Sequence, residues 1–203
     1  MKIGIINNHL GNIASVYSAL KFYNLDVRLV NKPTELKNID VIILAGVGNF
    51  NAAAKTLKDM RFWKAIDKAV RIDKKPVVGL CLGMQMFADV STENGENPGF
   101  GWISGKVVRL KDTQGRVPHI GWDQVLPKDK KVFQNSRYNT FYFMHSYHFV
   151  PDDKKVIIGS TPFGDTEIVS AVRKNHMIGV QFHPEKSQGD GLRLLRNLVE
   201  AVA

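Results

Sequence analysis

The sequence predicts an α/β protein: a three-layer sandwich with a largely parallel central sheet and a smaller antiparallel portion in the C-terminal half. In the first half, continuous apolar runs alternate with segments of helical periodicity, which is typical of parallel strands covered by helices on both faces. After Asn97, glycine, proline and tryptophan become frequent and the candidate strands shorten, which favours antiparallel pairing. The 203 residues, 44% of them apolar, predict a single domain spanning residues 1–203.

The elements of the first half follow from apolar periodicity and from turn residues. Short apolar runs predict buried strands, whereas apolar residues three or four apart, such as Ile13, Val16 and Leu20, predict a helix. Turn signals such as Gly11-Asn12 separate these segments. The predicted strands are Lys2 to Ile6, Asp26 to Val30, Asp40 to Leu44 and Pro76 to Leu80, and the predicted helices are Asn12 to Tyr23, Pro33 to Leu36, Ala52 to Met60, Arg61 to Ile72 and Leu82 to Ala88.

The second half is predicted to consist mostly of short strands, closed by one helix. We find no internal repeat, low-complexity stretch or linker that would divide the chain. The predicted strands are Lys106 to Leu110, Gly121 to Leu126, Phe141 to Met144, Val156 to Ser160, Glu167 to Arg173 and Met177 to Gln181, and the closing helix runs from Asp190 to Val202.

Charge and cysteine content narrow the class of protein. The net charge is +9, but acids such as Asp73, Asp129 and Asp153 interrupt the lysine clusters, which indicates solvated loops and not a nucleic-acid groove. The N-terminal apolar run is too short for a signal peptide or a membrane span, and no later segment is long enough. One cysteine permits no internal disulfide. We therefore expect a cytoplasmic protein without a nucleic-acid or membrane partner.

The most informative stretch is an apolar strand that meets a predicted helix through Gly79-Leu80-Cys81-Leu82-Gly83. This is the sulfur version of a nucleophile elbow, in which flanking glycines remove side chains that would collide at a tight turn. The sulfur of Cys81 would lie at a helix N-terminus, where the dipole favours a thiolate, and the N–H of Leu82 would face a developing oxyanion. Alternatively, Cys81 is a small buried apolar residue, and the motif alone leaves both interpretations open.

A second motif supplies a base about a hundred residues later. The strand that precedes Phe182 ends in His183-Pro184-Glu185. A thiolate needs an imidazole within reach, and the imidazole needs an acid to orient it. On an extended segment His183 and Glu185 point to the same side, and we expect Pro184 to keep it extended and bar a helix. Both motifs leave apolar strands, so they should meet at one edge of the sheet. A surface-loop histidine is the alternative.

Together the two motifs resemble those of the class I, triad-type glutamine amidotransferases. The resemblance implies that Cys81 is the nucleophile, His183 the base and Glu185 the residue that orients it. Glutamine would be attacked at its side-chain amide, ammonia would leave, and water would release glutamate from a γ-glutamyl thioester. No metal or cofactor is implied, since Cys81 is the only cysteine and the histidines lack ligand spacing.

Three further stretches resemble the glutaminase subunit of imidazole glycerol phosphate synthase. Residues 45–50 resemble its oxyanion strand, residues 118–123 its Pro-His-x-Gly-Trp-Asn signature, and residues 143–148 its His-Ser-Tyr stretch. The resemblance implies an oxyanion site at Val47, Gly48 and Leu82, with the Val47-Gly48 peptide as the moving part. Trp122 is equally open to a core interpretation. The substrate-binding candidates are Gly46, Gln85, His145, Ser146 and Tyr147, and the partner-interface candidates are Asn12, His119, Trp122 and Lys186.

The implied partner is a (β/α)8 cyclase or synthase subunit that forms a heterodimer with this chain and uses the ammonia in histidine biosynthesis. Ala45 replaces the usual proline of the oxyanion strand, so we expect an easier flip and a higher resting activity. The N-terminal signature, residues 7–12, lacks an acid and a glycine, and Asp123 replaces the usual asparagine. These departures and the basic charge motivate one alternative, a paralogous glutaminase for a sugar-amidating synthase of surface polysaccharide or flagellar glycan pathways. Two further alternatives are a free cysteine hydrolase or peptidase on the same fold, against which residues 118–123 and 143–148 weigh, and a non-catalytic subunit, against which the set Cys81, His183 and Glu185 weighs.

Overall fold

The computed structural model describes residues 1–9, 11–111 and 117–203, so Leu10 of the N-terminal signature lies outside the described residues. The helices are α1 (Ile13–Lys21), α2 (Phe50–Asp59), α3 (Phe62–Arg71), α4 (Leu82–Gln85) and α5 (Gln188–Val202), with 3₁₀ turns at Pro33–Asn38, Lys154–Val156 and Pro184–Lys186. The strands are β1 (Lys2–Ile6), β2 (Asp26–Val30), β3 (Val41–Gly46), β4 (Val77–Cys81), β5 (Val90–Ser91), β6 (Asn97–Pro98), β7 (Gly105–Arg109), β8 (His119–Gln124), β9 (Leu126–Pro127), β10 (Thr140–His145), β11 (Tyr147–Pro151), β12 (Ile157–Phe163), β13 (Thr166–Lys174) and β14 (Met177–Val180).

An eight-stranded sheet runs through the chain in the order β2-β1-β3-β4-β14-β13-β12-β9. The strands from β2 to β14 are parallel, whereas β13, β12 and β9 pair antiparallel. The predicted largely parallel sheet with an antiparallel portion is therefore confirmed. The two strands that carry the candidate motifs, β4 and β14, are direct neighbours in this sheet, with Leu80 opposite Val180.

Helices cover both faces of this sheet, as the apolar strand runs predict. Along β3, Ile42 and Leu44 belong to the core that α2 and α3 contribute to, whereas Ile43 and Ala45 belong to the core of α1 and α5. This division follows from strand geometry, because successive side chains point to opposite faces. Among the described residues, no helix is long and apolar enough to cross a membrane.

Two smaller sheets flank the main one. Strands β8 and β10 form an antiparallel ribbon, and β11, β7, β5 and β6 form a four-stranded sheet. The ribbon is joined to the second candidate motif, because the backbone N–H of His183 donates to the carbonyl of Tyr142 at 2.8 Å. Strands β5, β6, β9 and β11 were not predicted, since three of them have only two residues and β11 follows β10 after a single residue.

The helix after Cys81 is shorter than predicted. The prediction extended it to Ala88, but α4 ends at Gln85. The carbonyl of Met86 accepts from the N–H of Phe100, and the carbonyl of Phe87 accepts from the N–H of Trp102, each at 2.8 Å. The N–H groups of Phe87 and Ala88 donate to carbonyls three residues before them, those of Met84 and Gln85, so the chain tightens into turns after Gln85. The tertiary hydrogen bonds then keep the helix from resuming, which sequence periodicity does not reveal.

Candidate active site

Cys81 occupies a strained turn between β4 and α4. Its backbone has φ 51° and ψ −109°, which costs a residue with a side chain on the order of 1–3 kcal/mol. The turn is possible because α4 lies against the end of β3. A Cβ atom on Gly83 would lie 1.7 Å from the carbonyl oxygen of Leu44, so only glycine permits this approach. The sulfur is thereby held at the edge of the sheet where β3, β4 and β14 end.

The expected contribution of the helix dipole to a Cys81 thiolate is not supported. With four residues, α4 is about one turn long, too short to build the aligned array of peptide dipoles on which that effect depends. The charged group beside the sulfur is instead His183, which lies three residues after β14.

His183 and Glu185 form a buried pair beside Cys81. Nδ1 of His183 lies 2.9 Å from Oε1 of Glu185, and the two side chains are 2% and 3% exposed. Burial opposes a charge on the ring, but the Cys81 thiolate and Glu185, through charge and hydrogen bonding, outweigh it and raise the pKa of His183 to about 10. Nε2 of His183 has no hydrogen-bond partner among the described residues, and the Cys81 sulfur is close enough to act on the pKa of the ring. The arrangement is a buried imidazole between the sulfur of Cys81 and the carboxylate of Glu185.

The expectation that Pro184 bars a helix is wrong. Pro184 begins a 3₁₀ turn, Pro184–Lys186, in which it is the first residue. Proline is tolerated there because the first N–H of a helical turn has no intrahelical acceptor in any case. His183 and Glu185 therefore meet through a turn and not along an extended segment.

A pocket of about 280 Å³ opens next to Cys81. It holds most of the predicted oxyanion and substrate-binding residues, but Gly46 is not among them. Gly46 lines a separate cavity of about 10 Å³ together with His183 and Glu185. The large pocket is lined by Val47, Gly48, Cys81, Leu82, Gln85, Glu93, Pro118, Met144, His145, Ser146 and Tyr147.

Glu93 is a pocket residue that sequence reasoning missed. Its Oε2 accepts from the N–H of Phe50 at 2.7 Å and so caps the start of α2, directly after the oxyanion strand. The carboxylate also gives the pocket wall a negative charge. A lone glutamate in a polar loop carries no sequence signal, because its position depends on a contact across 43 residues.

The side chains of His145 and His119 face each other beside the pocket. Nδ1 of His145 lies 2.9 Å from the carbonyl oxygen of Tyr147, and Nε2 lies 3.1 Å from Nδ1 of His119. Both ring nitrogens thus have protein partners, and His145 lies in the wall of the pocket next to Tyr147. His119 is 5% exposed, and its Nε2 lies 3.3 Å from Oδ2 of Asp123, so little of its side chain is accessible from outside. Among the described residues, no three histidine, cysteine or acidic side chains form a metal site.

The other interface candidates lie at the surface. Asn12 is exposed and caps α1 by accepting from the N–H of Ser15 at 3.4 Å. Trp122 is 47% exposed, so the core interpretation is wrong, and its ring meets that of Tyr142 edge to face at 6.1 Å. The ammonium group of Lys186 lies over the same Tyr142 ring at 5.9 Å. We call Trp122, Tyr142 and Lys186 the ribbon patch; its backbone contacts His183 directly.

The buried histidines predict a stability maximum near neutral pH. Burial, with the neighbouring charge of His119, lowers the pKa of His145 to about 3, and burial lowers that of His148 to about 4. Between these values and about 6.5 the unfolded chain binds more protons, so stability falls as pH falls. The pKa of His183 is raised to about 10, so its contribution is complete below about 6.5 and is lost as pH rises through about 10.

Urea unfolding between about pH 4 and 10 checks this profile. We expect the midpoint to be highest near pH 6–7 and a His148→Gln variant to lose part of the acid limb. A midpoint that rises steadily up to pH 9 would contradict the protonated state of His183.

Comparisons with known proteins agree with the geometry of the site. Residues 4–202 match the family model for glutamine amidotransferase class-I. The chain is 42% identical over 198 residues to the imidazole glycerol phosphate synthase subunit HisH of Pyrococcus furiosus, covering 97% of each chain. It is 37% identical over 203 residues to subunit HisH 2 of Pseudomonas aeruginosa, covering 98% of this chain and all of that one. The crystal structure of a glutamine amidotransferase superposes with a TM-score of 0.78 at 20% identity, covering 100% of this chain and 99% of that one.

Proposed function

Since this chain belongs to the class-I glutamine amidotransferase family, we propose that Cys81, His183 and Glu185 are the residues that hydrolyse glutamine in it, and that a (β/α)8 cyclase subunit receives the ammonia. The chain is a glutaminase subunit of the imidazole glycerol phosphate synthase type, with a role in histidine biosynthesis. The observation that carries the assignment of residues is the buried His183–Glu185 pair beside Cys81, which itself lines the pocket.

In the proposed reaction, the Cys81 thiolate attacks the side-chain carbonyl carbon of glutamine. The resulting oxyanion accepts hydrogen bonds from the N–H of Leu82 and from the Val47-Gly48 peptide. The His183 imidazolium gives its proton to the amide nitrogen, the C–N bond breaks and ammonia leaves, which produces a γ-glutamyl thioester and neutral His183. Neutral His183 then takes a proton from water as the water attacks the thioester, and expulsion of the thiolate releases glutamate. Glu185 stabilises the imidazolium in both steps.

The contacts around the oxyanion strand support a movement of the Val47-Gly48 peptide. The segment before it is held by β3 and by Asn8, whose side chain donates to the carbonyl of Ala45 at 3.1 Å. The segment after it is held by α2, where Asn49 accepts from the N–H of Ala52 and Glu93 accepts from that of Phe50. Gly48 between them has φ 97°, and apart from its chain neighbours no atom of the described residues lies within 4 Å of where its Cβ would be. A short segment with anchored ends and open space is suited to a peptide flip.

The pocket also offers groups for the two charged ends of glutamine. We propose that the Glu93 carboxylate faces the α-ammonium group, because it is the carboxylate among the residues that line the pocket. Gln85, Ser146 and Tyr147 line the same pocket and supply polar atoms for the remaining contacts. His145 is given a supporting role, since both of its ring nitrogens are engaged.

For the heterodimer we propose docking of the cyclase subunit on the ribbon patch and the exposed Asn12. Trp122 and Tyr142 are the kind of aromatic anchors that dominate interface energies. A partner bound to the ribbon patch would lie close to the active site, because the carbonyl of Tyr142 accepts from the N–H of His183. The free thiol of Cys81 fits a reducing compartment, and we propose the cytoplasm as the site of the reaction.

A paralogous glutaminase that serves a different synthase is the second candidate. The departures of the N-terminal signature and Asp123 favour it, and the numbered name of the Pseudomonas aeruginosa relative indicates that one organism can carry more than one such subunit.

Glutamate release tests the proposal and separates the candidates. The purified chain is assayed alone and with a histidine-pathway cyclase subunit, with and without the phosphoribosyl ligand of that subunit. We expect the ligand-loaded cyclase to raise the rate by about 10²–10³, the effect of aligning one oxyanion donor. Glutamine hydrolysis that ignores the cyclase would favour the paralogue, and turnover of peptides without any partner would favour a free hydrolase.

A further inference from the structure

The side chain of Gln181 makes a direct contact with the candidate nucleophile. Gln181 follows β14, is fully buried, and places its Nε2 at 3.6 Å from Sγ of Cys81. Its Oε1 lies 3.0 Å from Nε2 of Gln85, and the same Nε2 lies 2.8 Å from the carbonyl oxygen of Tyr147. A continuous chain of hydrogen bonds therefore joins the pocket wall to the sulfur through two amides.

The chemistry of this chain determines which end of each amide faces which partner. The carbonyl of Tyr147 has no hydrogen to donate, so Gln85 must turn its NH₂ group toward it. The second hydrogen of that NH₂ group points at Gln181, where only an acceptor oxygen is compatible. The NH₂ group of Gln181 is therefore directed at Cys81, and a flipped amide would set two NH₂ groups against each other.

We propose that Gln181 is a positioning residue of the reaction that donates a hydrogen bond to the Cys81 thiolate, and that Gln85 and Tyr147 hold its amide in the donating orientation. This inference rests on the proposed role of Cys81 as the nucleophile.

Two effects on the reaction follow from this bond. A neutral donor that is already oriented in a buried site stabilises a charge without reorganising when the charge appears. The thiolate is the charged form of the sulfur both before attack and when it leaves the γ-glutamyl thioester, whereas the sulfur of the thioester itself is a poor acceptor. The Gln181 bond therefore favours the resting thiolate and its release during hydrolysis.

The same bond keeps the sulfur of Cys81 in one direction within the strained turn. His183, whose ring interacts with Cys81, is the charged side chain beside the sulfur, and Glu185 lies behind it. Gln181 carries no charge, and the pocket of about 280 Å³ is lined without it. Loss of the Gln181 amide should consequently lower kcat and the reactivity of the thiol far more than it weakens glutamine binding.

The rate of alkylation by iodoacetamide measures the reactivity of the Cys81 thiol and does not depend on glutaminase activity. Cys81 is the only cysteine and lines the open pocket, so no other thiol contributes. In Gln181→Met, which keeps the size of the side chain and removes the donor, we expect the midpoint of the pH–rate profile to rise by about one unit. Gln181→Asn withdraws the amide from the sulfur and should act in the same direction, even if the methionine variant does not fold. We expect kcat to fall about tenfold in both, with a smaller change in KM.

Ser170→Ala is the matched control. Ser170 is also fully buried, its backbone carbonyl accepts from the N–H of Gln181, and its side chain contacts Thr161 instead of Cys81. The control should leave the alkylation midpoint unchanged. An unchanged midpoint in the folded Gln181 variants, or an equal shift in Ser170→Ala, would overturn the proposal. Glutamate release that persists in Cys81→Ala would instead contradict the role of Cys81 as the nucleophile. In that case the alkylation midpoints would still show whether Gln181 donates a hydrogen bond to the sulfur.

Discussion

The Cys81→Ala variant is expected to release no glutamate above the uncatalysed background, with or without a ligand-loaded partner. Removing a nucleophile that works with a base and an orienting acid costs a factor on the order of 10⁴–10⁶ in kcat. The loss should not be a folding defect, because alanine meets the same backbone strain at φ 51° as cysteine does, and the site is held by the close approach of Gly83 to Leu44. Glutamate release and the urea unfolding midpoint are measured on the same preparation.

Cys81→Ser is the second arm of this experiment. Serine keeps an oxygen in place of the sulfur, but His183 cannot hold an alkoxide at neutral pH as it holds a thiolate, so we expect a loss of similar size. A folded alanine variant that retains a tenth of the wild-type rate would show that another group attacks glutamine.

The Glu185→Gln variant should lower kcat by about 10³–10⁴, the cost of losing the acid that orients a catalytic histidine. The change keeps the size of the side chain and removes the charge that faces Nδ1 of His183 at 2.9 Å. Since this charge helps to raise the pKa of His183 to about 10, that pKa should fall in the variant. The alkaline limb of the rate profile should therefore move to lower pH, which a structural defect alone would not produce.

Glu35→Gln provides the matched control for this variant. Glu35 accepts from the N–H groups of Asn31 and Lys32 at an exposed turn. The variant therefore loses a carboxylate that caps this turn, at a position away from the candidate active site. Its glutaminase rate and pH profile should equal those of the wild type. An unshifted alkaline limb in Glu185→Gln would contradict the assigned role of Glu185.

Most of the fold could be predicted from the sequence, because the patterns that indicate its helices and strands are local. The apolar runs of the parallel strands and the periodicity of α1, α2, α3 and α5 depend only on neighbouring residues, and each of these elements occurs where it was predicted, within a few residues at the ends. The prediction failed where hydrogen bonds to residues distant in sequence change the course of the backbone. The truncation of α4 depends on carbonyls of Met86 and Phe87 that accept from Phe100 and Trp102.

In the candidate site, too, local motifs could be found from the sequence, whereas contacts between distant residues could not. Cys81 and the His183-Pro184-Glu185 segment stand in short motifs, and neighbouring strands bring them together as the topology of parallel sheets requires. Glu93 and Gln181 could not be assigned roles, because each acts through a contact with a distant residue. The burial of His119 could not be predicted for a related reason, because its sequence motif does not reveal that its side chain faces that of His145.

The central claim is that Cys81 attacks glutamine in the pocket beside it, and covalent labelling tests it most directly. A glutamine analogue that carries a chloroketone in place of the side-chain amide is incubated with the chain and its ligand-loaded partner, and the adduct is located by mass spectrometry of the peptides. We expect one adduct per chain, on Cys81, whose formation excess glutamine slows and whose appearance matches the loss of glutaminase activity. Activity that disappears with Cys81 unlabelled, or labelling of Cys81 that leaves glutamate release unchanged, would contradict the account.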